Sequence, residues 1–111
     1  MISYADKLCN LAIEAPHGSI LRVFLYIAHN QQYGNDNKHF GYSCSKTYLQ
    51  EKLGISRKSV YNALKWLKEK FIIHEGRVDG QLEFMVNPEY VTIGINKKKR
   101  QKEWKRRWEE P

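Results

Sequence analysis

The stretch LQEKLGISRKSVYNALKWLKEK constrains the fold more than any other part of the chain. A single glycine, Gly54, separates two runs of helix-favouring residues. Glycine accepts the left-handed conformation that ends a helix, and Ser56 can cap the next helix with its hydroxyl group. Ser45 has the same capping position ahead of the first run. The pattern predicts two helices, Thr47 to Lys52 and Arg57 to about Lys70, joined by a tight turn.

The second of these helices has one apolar stripe and one basic face. The stripe, at i, i+4, i+7 and i+11, consists of Val60, Leu64, Leu67 and Phe71. If it is buried, helix geometry turns the opposite side chains outward, and these are Lys58, Tyr61, Asn62 and Lys65. Two helices joined by a glycine-containing turn are typical of a helix-turn-helix, in which the first helix braces the second against a DNA major groove.

The remaining patterns extend this unit on both sides. Residues 3–15 and 19–31 have helical spacing, and HFGYSC is consistent with a short strand. The broad apolar face of the second segment consists of Ile20, Leu21, Phe24, Leu25, Ile27 and Ala28. After the helix pair, FIIHE, a turn within GRVDG, and QLEFMV predict a β-hairpin. In QLEFMV the apolar Leu82, Phe84 and Val86 alternate with Gln81, Glu83 and Met85. The predicted fold is mainly α with a small β-hairpin wing, a winged helix-turn-helix over residues 1–94, followed by a basic carboxyl-terminal helix or tail over 95–111.

Positive charge is concentrated in two segments of this 111-residue chain. The net charge is +7, with an excess of +4 in residues 57–70 and +5 in residues 95–111. Residues 71–94, which contain the predicted wing, have an excess of −3. Charge gathered in this way predicts a polyanion as the partner, whereas a general contribution to solubility would be spread more evenly.

The predicted contacts to double-stranded DNA follow from this charge and from the helix register. Arg and Lys suit guanine edges and phosphate, Asn suits adenine edges, and free amides at a helix start favour phosphate. The predicted DNA-binding residues are Ser45, Lys46, Ser56, Arg57, Lys58, Ser59, Tyr61, Asn62, Lys65 and, in the wing, Arg77. The predicted phosphate contacts of the tail are Lys97, Lys98, Lys99, Arg100, Lys102, Lys105 and Arg106.

Two tryptophans in the tail, Trp104 and Trp108, stand one helical turn apart. Such a pair forms an apolar edge, which predicts a helix docked by its two rings onto its own domain or onto a partner subunit. The alternative is a disordered basic end. Because residues 3–15 and the tail offer apolar stripes that the minimal fold does not need, and such proteins often bind paired half-sites, we expect a homodimer.

The segment GRVDGQLEFMVNPEYVTIGINKKKRQKEW resembles the carboxyl-terminal half of the RepL family of plasmid replication proteins. In that family a winged helix is followed by a short apolar strand, an Asn-Pro dipeptide, a glycine and a charged tail. Here these correspond to Leu82–Val86, Asn87-Pro88, Gly94 and the stretch from Asn96. The resemblance covers roughly residues 18–104. It implies binding to plasmid origin DNA in replication initiation or its control, with host replication proteins as candidate partners and no catalytic residues.

The sequence gives less support for other classes of function. The histidines His17, His29, His39 and His74 form no His-x-His pair, and no Gly-rich phosphate loop or HExxH motif occurs, so neither catalysis nor a cofactor or metal is predicted. Two cysteines and no apolar run of about 20 residues predict a cytoplasmic protein without a membrane partner. A transcriptional repressor of the same fold and a winged-helix protein-interaction module remain alternatives.

Overall fold

The computed structural model describes residues 17–90 and 95–109. In chain order the elements are α1 (Gly18–Asn30), β1 (Tyr42–Ser43), α2 (Lys46–Leu53), α3 (Arg57–Glu69), β2 (Ile73–Val78), β3 (Gln81–Val86), a 3-10 turn (Pro88–Tyr90) and α4 (Lys97–Glu109). These described residues form a small α+β domain with four helices and an antiparallel sheet in the order β1–β3–β2. The helix predicted over residues 3–15 lies outside the described residues.

The junction between α2 and α3 has the predicted caps. The Ser45 hydroxyl accepts a hydrogen bond from the Tyr48 amide at 3.0 Å, and the Ser56 hydroxyl accepts one from the Ser59 amide at 3.1 Å. Gly54 ends α2 with φ of 65°. A Cβ atom there would meet no atom within 4 Å, so the left-handed backbone alone favours glycine at this position.

The hydrophobic core lies between α1, α2, α3 and one face of the sheet. Its side chains from the helices are Ile20, Val23, Phe24 and Ile27 of α1, Leu49 of α2, and Val60, Ala63, Leu64 and Leu67 of α3. Two predictions about this core were wrong. Phe71 is 59% exposed, because α3 ends at Glu69 and Phe71 adopts φ of 56°, which takes it out of the helical stripe. Leu25 of α1 is 49% exposed, and Val23 packs in the core instead.

The predicted hairpin is formed by β2 and β3, joined by a two-residue turn at Asp79 and Gly80. Both turn residues have positive φ, as the tight Asp-Gly turns of hairpins require. Phe84 and Val86 of β3 face the core, as the alternation predicts. Glu83 and Met85, which alternate with these apolar residues in the sequence, are also fully buried. Both faces of β3 are therefore covered. The hairpin follows α3 directly, which is compatible with a wing.

Helix α4 covers the face of the sheet that lies opposite the core. The guanidinium of Arg107 pairs with Glu83 of β3, with 2.8 Å between Nη1 and Oε1. Trp108 makes edge contacts with the rings of Phe71 and His74, each at 5.0 Å between centroids, and Trp104 stacks edge-on against Trp108. The tail helix is thus docked within this chain through the ring of Trp108, whereas the ring contact of Trp104 is to Trp108 in the same helix. No helix among residues 17–90 and 95–109 is long and apolar enough to span a bilayer.

Candidate nucleic-acid interface

The outward face of α3 carries the basic and polar side chains that the sequence predicts there. Lys58, Asn62 and Lys65 stand at i, i+4 and i+7, and all three are exposed. Tyr61 is 42% exposed beside them. They point away from the core because Val60, Ala63, Leu64 and Leu67 occupy the opposite side of the helix. The first turn of α3 contains no acidic residue, so its amino-terminal half presents only positive or neutral groups.

Tyr61 gathers two cations at the junction of α2 and α3. The Lys46 ammonium lies 4.8 Å from the centre of the Tyr61 ring, and the Arg57 guanidinium lies 5.3 Å from it. Lys46 is the first residue of α2, and Arg57 is the first residue of α3. The Tyr61 ring therefore brings the two helix starts together in one positively charged patch. Lys46 also pairs with Glu75 of β2 at 3.4 Å, and Lys68 pairs with the same carboxylate at 3.1 Å. The Glu75 carboxylate is therefore paired with a lysine on each of two sides.

Two clefts flank α3. One lies between the start of α2, Tyr61 and the hairpin, and its lining includes Ser45, Arg77 and Cys44. Burial raises the pKa of the Cys44 thiol to about 12, so it is a neutral thiol at physiological pH. The other cleft lies between α3 and the start of α1. Helix α3 is thus a ridge between two depressions, a shape that fits into a groove.

Besides Ser45, whose hydroxyl caps α2, and Lys46, which pairs with Glu75, three more of the predicted contact residues have their polar groups engaged within the fold. The Ser56 hydroxyl donates to the Ser59 hydroxyl at 2.9 Å, so both serve the cap of α3. Arg77 is exposed, and its guanidinium donates to the Gly80 carbonyl at 3.0 Å, which directs the side chain toward the hairpin turn. The carboxylate of Asp79 in that turn pairs with Lys38 at 3.2 Å.

The predicted tail contacts divide into two groups. The exposed lysines are Lys97, Lys98, Lys102 and Lys105. Lys99 is half-buried and donates to the Gly34 carbonyl at 2.7 Å, and Arg106 pairs with Glu103 at 2.7 Å. Arg100 is only 2% exposed, with its guanidinium over the Tyr33 ring at 5.2 Å. A phosphate contact from Arg100 does not fit this burial, because its guanidinium is enclosed by the domain itself.

Arg107, which the sequence did not single out, is the residue that anchors α4. Its side chain is 6% exposed and meets Glu83 and Glu103 together. Hydrogen bonds from Arg106 and Arg107 hold the pKa of Glu103 below its ordinary value. Burial beneath α4 and the nearby Arg107 charge lower the pKa of His74, which favours its neutral form. The sequence feature that indicates a buried partner for Arg107 is Glu83, an acidic residue inside the otherwise apolar end of the strand sequence QLEFMV.

Neither a metal site nor a match to a known protein adds to the description of this surface. In the part of the chain that the structure describes, no three His, Cys, Asp or Glu side chains are grouped so as to hold a metal ion. No protein-family model, curated protein or solved structure matches this chain. The resemblance to the RepL family therefore stays a prediction.

Proposed function

We propose that this protein is a winged helix-turn-helix that binds double-stranded DNA in a sequence-specific manner, with α3 as the recognition helix. The observation that carries the proposal is the exposed ridge of Lys58, Asn62 and Lys65, which stands between two clefts and opposite a fully buried apolar face. A basic helix face that is held rigidly from behind and is free in front can enter a major groove.

The residues of this ridge have different roles in the proposal. Asn62 is suited to a paired hydrogen bond with an adenine edge, and Lys58 to the acceptors of guanine. Lys65 and Arg57 bind phosphate and so position α3 without reading sequence. Tyr61, held between Lys46 and Arg57, adds a phenol hydroxyl within the same surface. Arg77 extends the contact from the hairpin, which acts as the wing.

The biological role follows from the resemblance to RepL proteins: recognition of a plasmid or mobile-element origin, in replication initiation or its control. The protein binds there as a homodimer, with half-sites about one DNA turn apart, and recruits host replication proteins. A transcriptional repressor would use the same surface on an operator, so the position of the bound site relative to an origin or a promoter distinguishes the two. A winged-helix module for protein partners is disfavoured by the basic face of α3.

Selection of bound DNA from a random pool, followed by affinity measurements on the selected site, tests this proposal. The Asn62→Ala variant should lose about 1–3 kcal/mol of discrimination between the selected site and single-base variants. The Lys65→Ala variant should weaken binding to every sequence alike and lower the slope of log affinity against log salt by about 0.9. Light scattering on the complex gives the number of chains bound.

The matched controls lie on other surfaces of the chain. Gln32→Ala and Lys52→Ala remove an exposed amide and an exposed ammonium away from the outward face of α3, and should leave discrimination unchanged. If Asn62→Ala and Lys58→Ala both bind the selected site with wild-type affinity, α3 is not the recognition helix. A complex with the mass of one chain per site would contradict the homodimer.

A further inference from the structure

The outward face of α4 is a second concentration of unpaired positive charge. Lys98, Lys102 and Lys105 stand at i, i+4 and i+7, the same spacing as the ridge of α3, with Gln101 between them. Across residues 17–90 and 95–109, neither Lys98 nor Lys102 forms an ion pair. Lys105 reaches Glu109 only at 4.0 Å, with both side chains more than half exposed, and such a pair contributes little.

The fold uses the arginines and Lys99 of α4, whereas Lys98 and Lys102 on its outward face form no ion pair among the described residues. Arg100 and Arg107 are buried, and the acidic Glu103 turns inward to Arg106 and Arg107. The first turn of α4 contains three lysines and no acidic residue, which is unfavourable for the helix because of its dipole and because like charges repel at i, i+4. The lysine face thus opposes the stability of its own helix and makes no contact that holds the domain together.

The two basic faces lie on opposite sides of the molecule. In β2 and β3, Ile73, Phe84 and Val86 face the core beneath α1 and α3, whereas His74 and Glu83 face α4. The core and the sheet therefore separate the outward face of α3 from the lysines of α4. We therefore expect that a straight duplex along α3 does not reach those lysines.

We infer that Lys98, Lys102 and Lys105 bind the phosphates of a second DNA duplex, so that one chain bridges two duplexes. The inference rests on the proposed function for the duplex held by α3. DNA carries one charge per about 1.7 Å of its axis, and the three lysines span about 10 Å along α4, so each can meet a phosphate. A membrane surface fits less well, because no apolar residue lies between the outward lysines of α4, and the ring of Trp108 packs against Phe71 and His74 of its own domain.

A capture assay tests the bridging. A duplex that contains the selected site is fixed on beads, full-length protein is bound, and capture of a second, labelled duplex of unrelated sequence is measured. Wild-type protein should retain the second duplex. The Lys98→Gln/Lys102→Gln variant should capture at least about tenfold less and lower the salt slope of capture by about 1.8, since two phosphate contacts are lost. Its affinity for the selected site on a single duplex should stay within about twofold of wild type.

Two controls keep the interpretation clear. The Lys52→Gln/Lys70→Gln variant removes the same charge from exposed positions outside α4, and should capture as wild type does. The Gln101→Lys variant adds a cation to the proposed surface and should capture more. An unchanged thermal midpoint in each variant verifies that the fold is intact, as expected for exposed side chains.

Specific outcomes would overturn the inference. They are absence of capture by wild type, undiminished capture by Lys98→Gln/Lys102→Gln, and a shortened footprint of that variant on a single duplex, which would place α4 on the same DNA as α3. Stronger competition by poly-glutamate than by duplex at equal charge would assign the surface to an acidic protein. Capture through two α3 faces of a dimer would not depend on Lys98 or Lys102. Failure of the proposed function appears separately, as wild-type site affinity in the Lys58→Ala and Asn62→Ala variants.

Discussion

The ion pair between Arg107 and Glu83 joins α4 to the sheet at a point shielded from water. Glu83 is 0% exposed and Arg107 is 6% exposed, and their charged atoms are 2.8 Å apart. Glu83 also accepts a hydrogen bond from the Phe40 amide at 3.3 Å. Arg107 further donates to the Lys38 carbonyl at 3.3 Å. An Arg107→Met substitution keeps a long apolar side chain and removes only the charge and its hydrogen bonds.

The expected cost of this substitution is about 3–5 kcal/mol, because it leaves a buried carboxylate without its partner. Domains of this kind have only about 5–15 kcal/mol of unfolding free energy in total. The loss should appear in urea denaturation as a midpoint lower by roughly 2 M, if the dependence on urea is about 1–3 kcal/mol per molar. Replacing both partners, in Glu83→Met/Arg107→Met, should recover most of the loss, since no uncompensated charge is then buried.

Arg106 is a matched control for this measurement. It is the adjacent arginine of α4 and also pairs with Glu103 at 2.7 Å, but its side chain is 51% exposed. Arg106→Met should therefore cost no more than about 1 kcal/mol. If Arg107→Met costs as little as Arg106→Met, the buried pair does not hold α4, and the packing of Trp108 must do so instead. A double variant no more stable than Arg107→Met alone would equally refute the reasoning.

This pair also changes how the tail should be tested. Deleting residues 97–111 would remove the phosphate-binding lysines and would at the same time leave Glu83 uncovered and unpaired. A loss of DNA affinity in the truncated protein could then arise from unfolding. Neutralising Lys98 and Lys102 by glutamine separates the two effects, because both side chains are exposed and make no contact that the fold requires.

Two further predictions concern stability. Leu64→Ala should lower the free energy of unfolding by about 2–5 kcal/mol in thermal or urea unfolding, because Leu64 is 1% exposed. Leu25→Ala, at a position that is 49% exposed, should lower it far less. Equal losses in the two variants would mean that the register of α3 is wrong. The pKa of Glu103 is lowered in the folded state, first by the hydrogen bond from Arg106, so its contribution is complete above the ordinary pKa of 4.5 and is lost as the pH falls through the lowered value. The unfolding free energy of Glu103→Gln should accordingly fall less steeply below about pH 4.5 than that of wild type, and equally steep pH profiles would contradict this.

Local patterns in the sequence determined the α2–α3 unit. Ser45, Gly54 and Ser56 act through atoms no more than four residues away, so capping and the left-handed turn can be read without tertiary information. The stripe of Val60, Leu64 and Leu67 needs only the period of the helix, and the face opposite it was predicted correctly as exposed. The same periodicity failed at Phe71, because the helix ends at Glu69, two residues before it.

The role of the carboxyl-terminal arginines depended on tertiary structure alone. In the sequence, Arg100 and Arg107 are indistinguishable from the lysines around them, and Glu83 occupies a position that the alternation assigns to solvent. The difference arises when α4 returns to the sheet and brings Arg107 onto Glu83, 24 positions earlier in the chain. The periodicity of a helix or strand in the sequence shows which of its faces is apolar. It does not show which distant element will cover the other face. That contact decides whether a charged side chain on the other face is free to bind a partner or is buried and stabilises the fold.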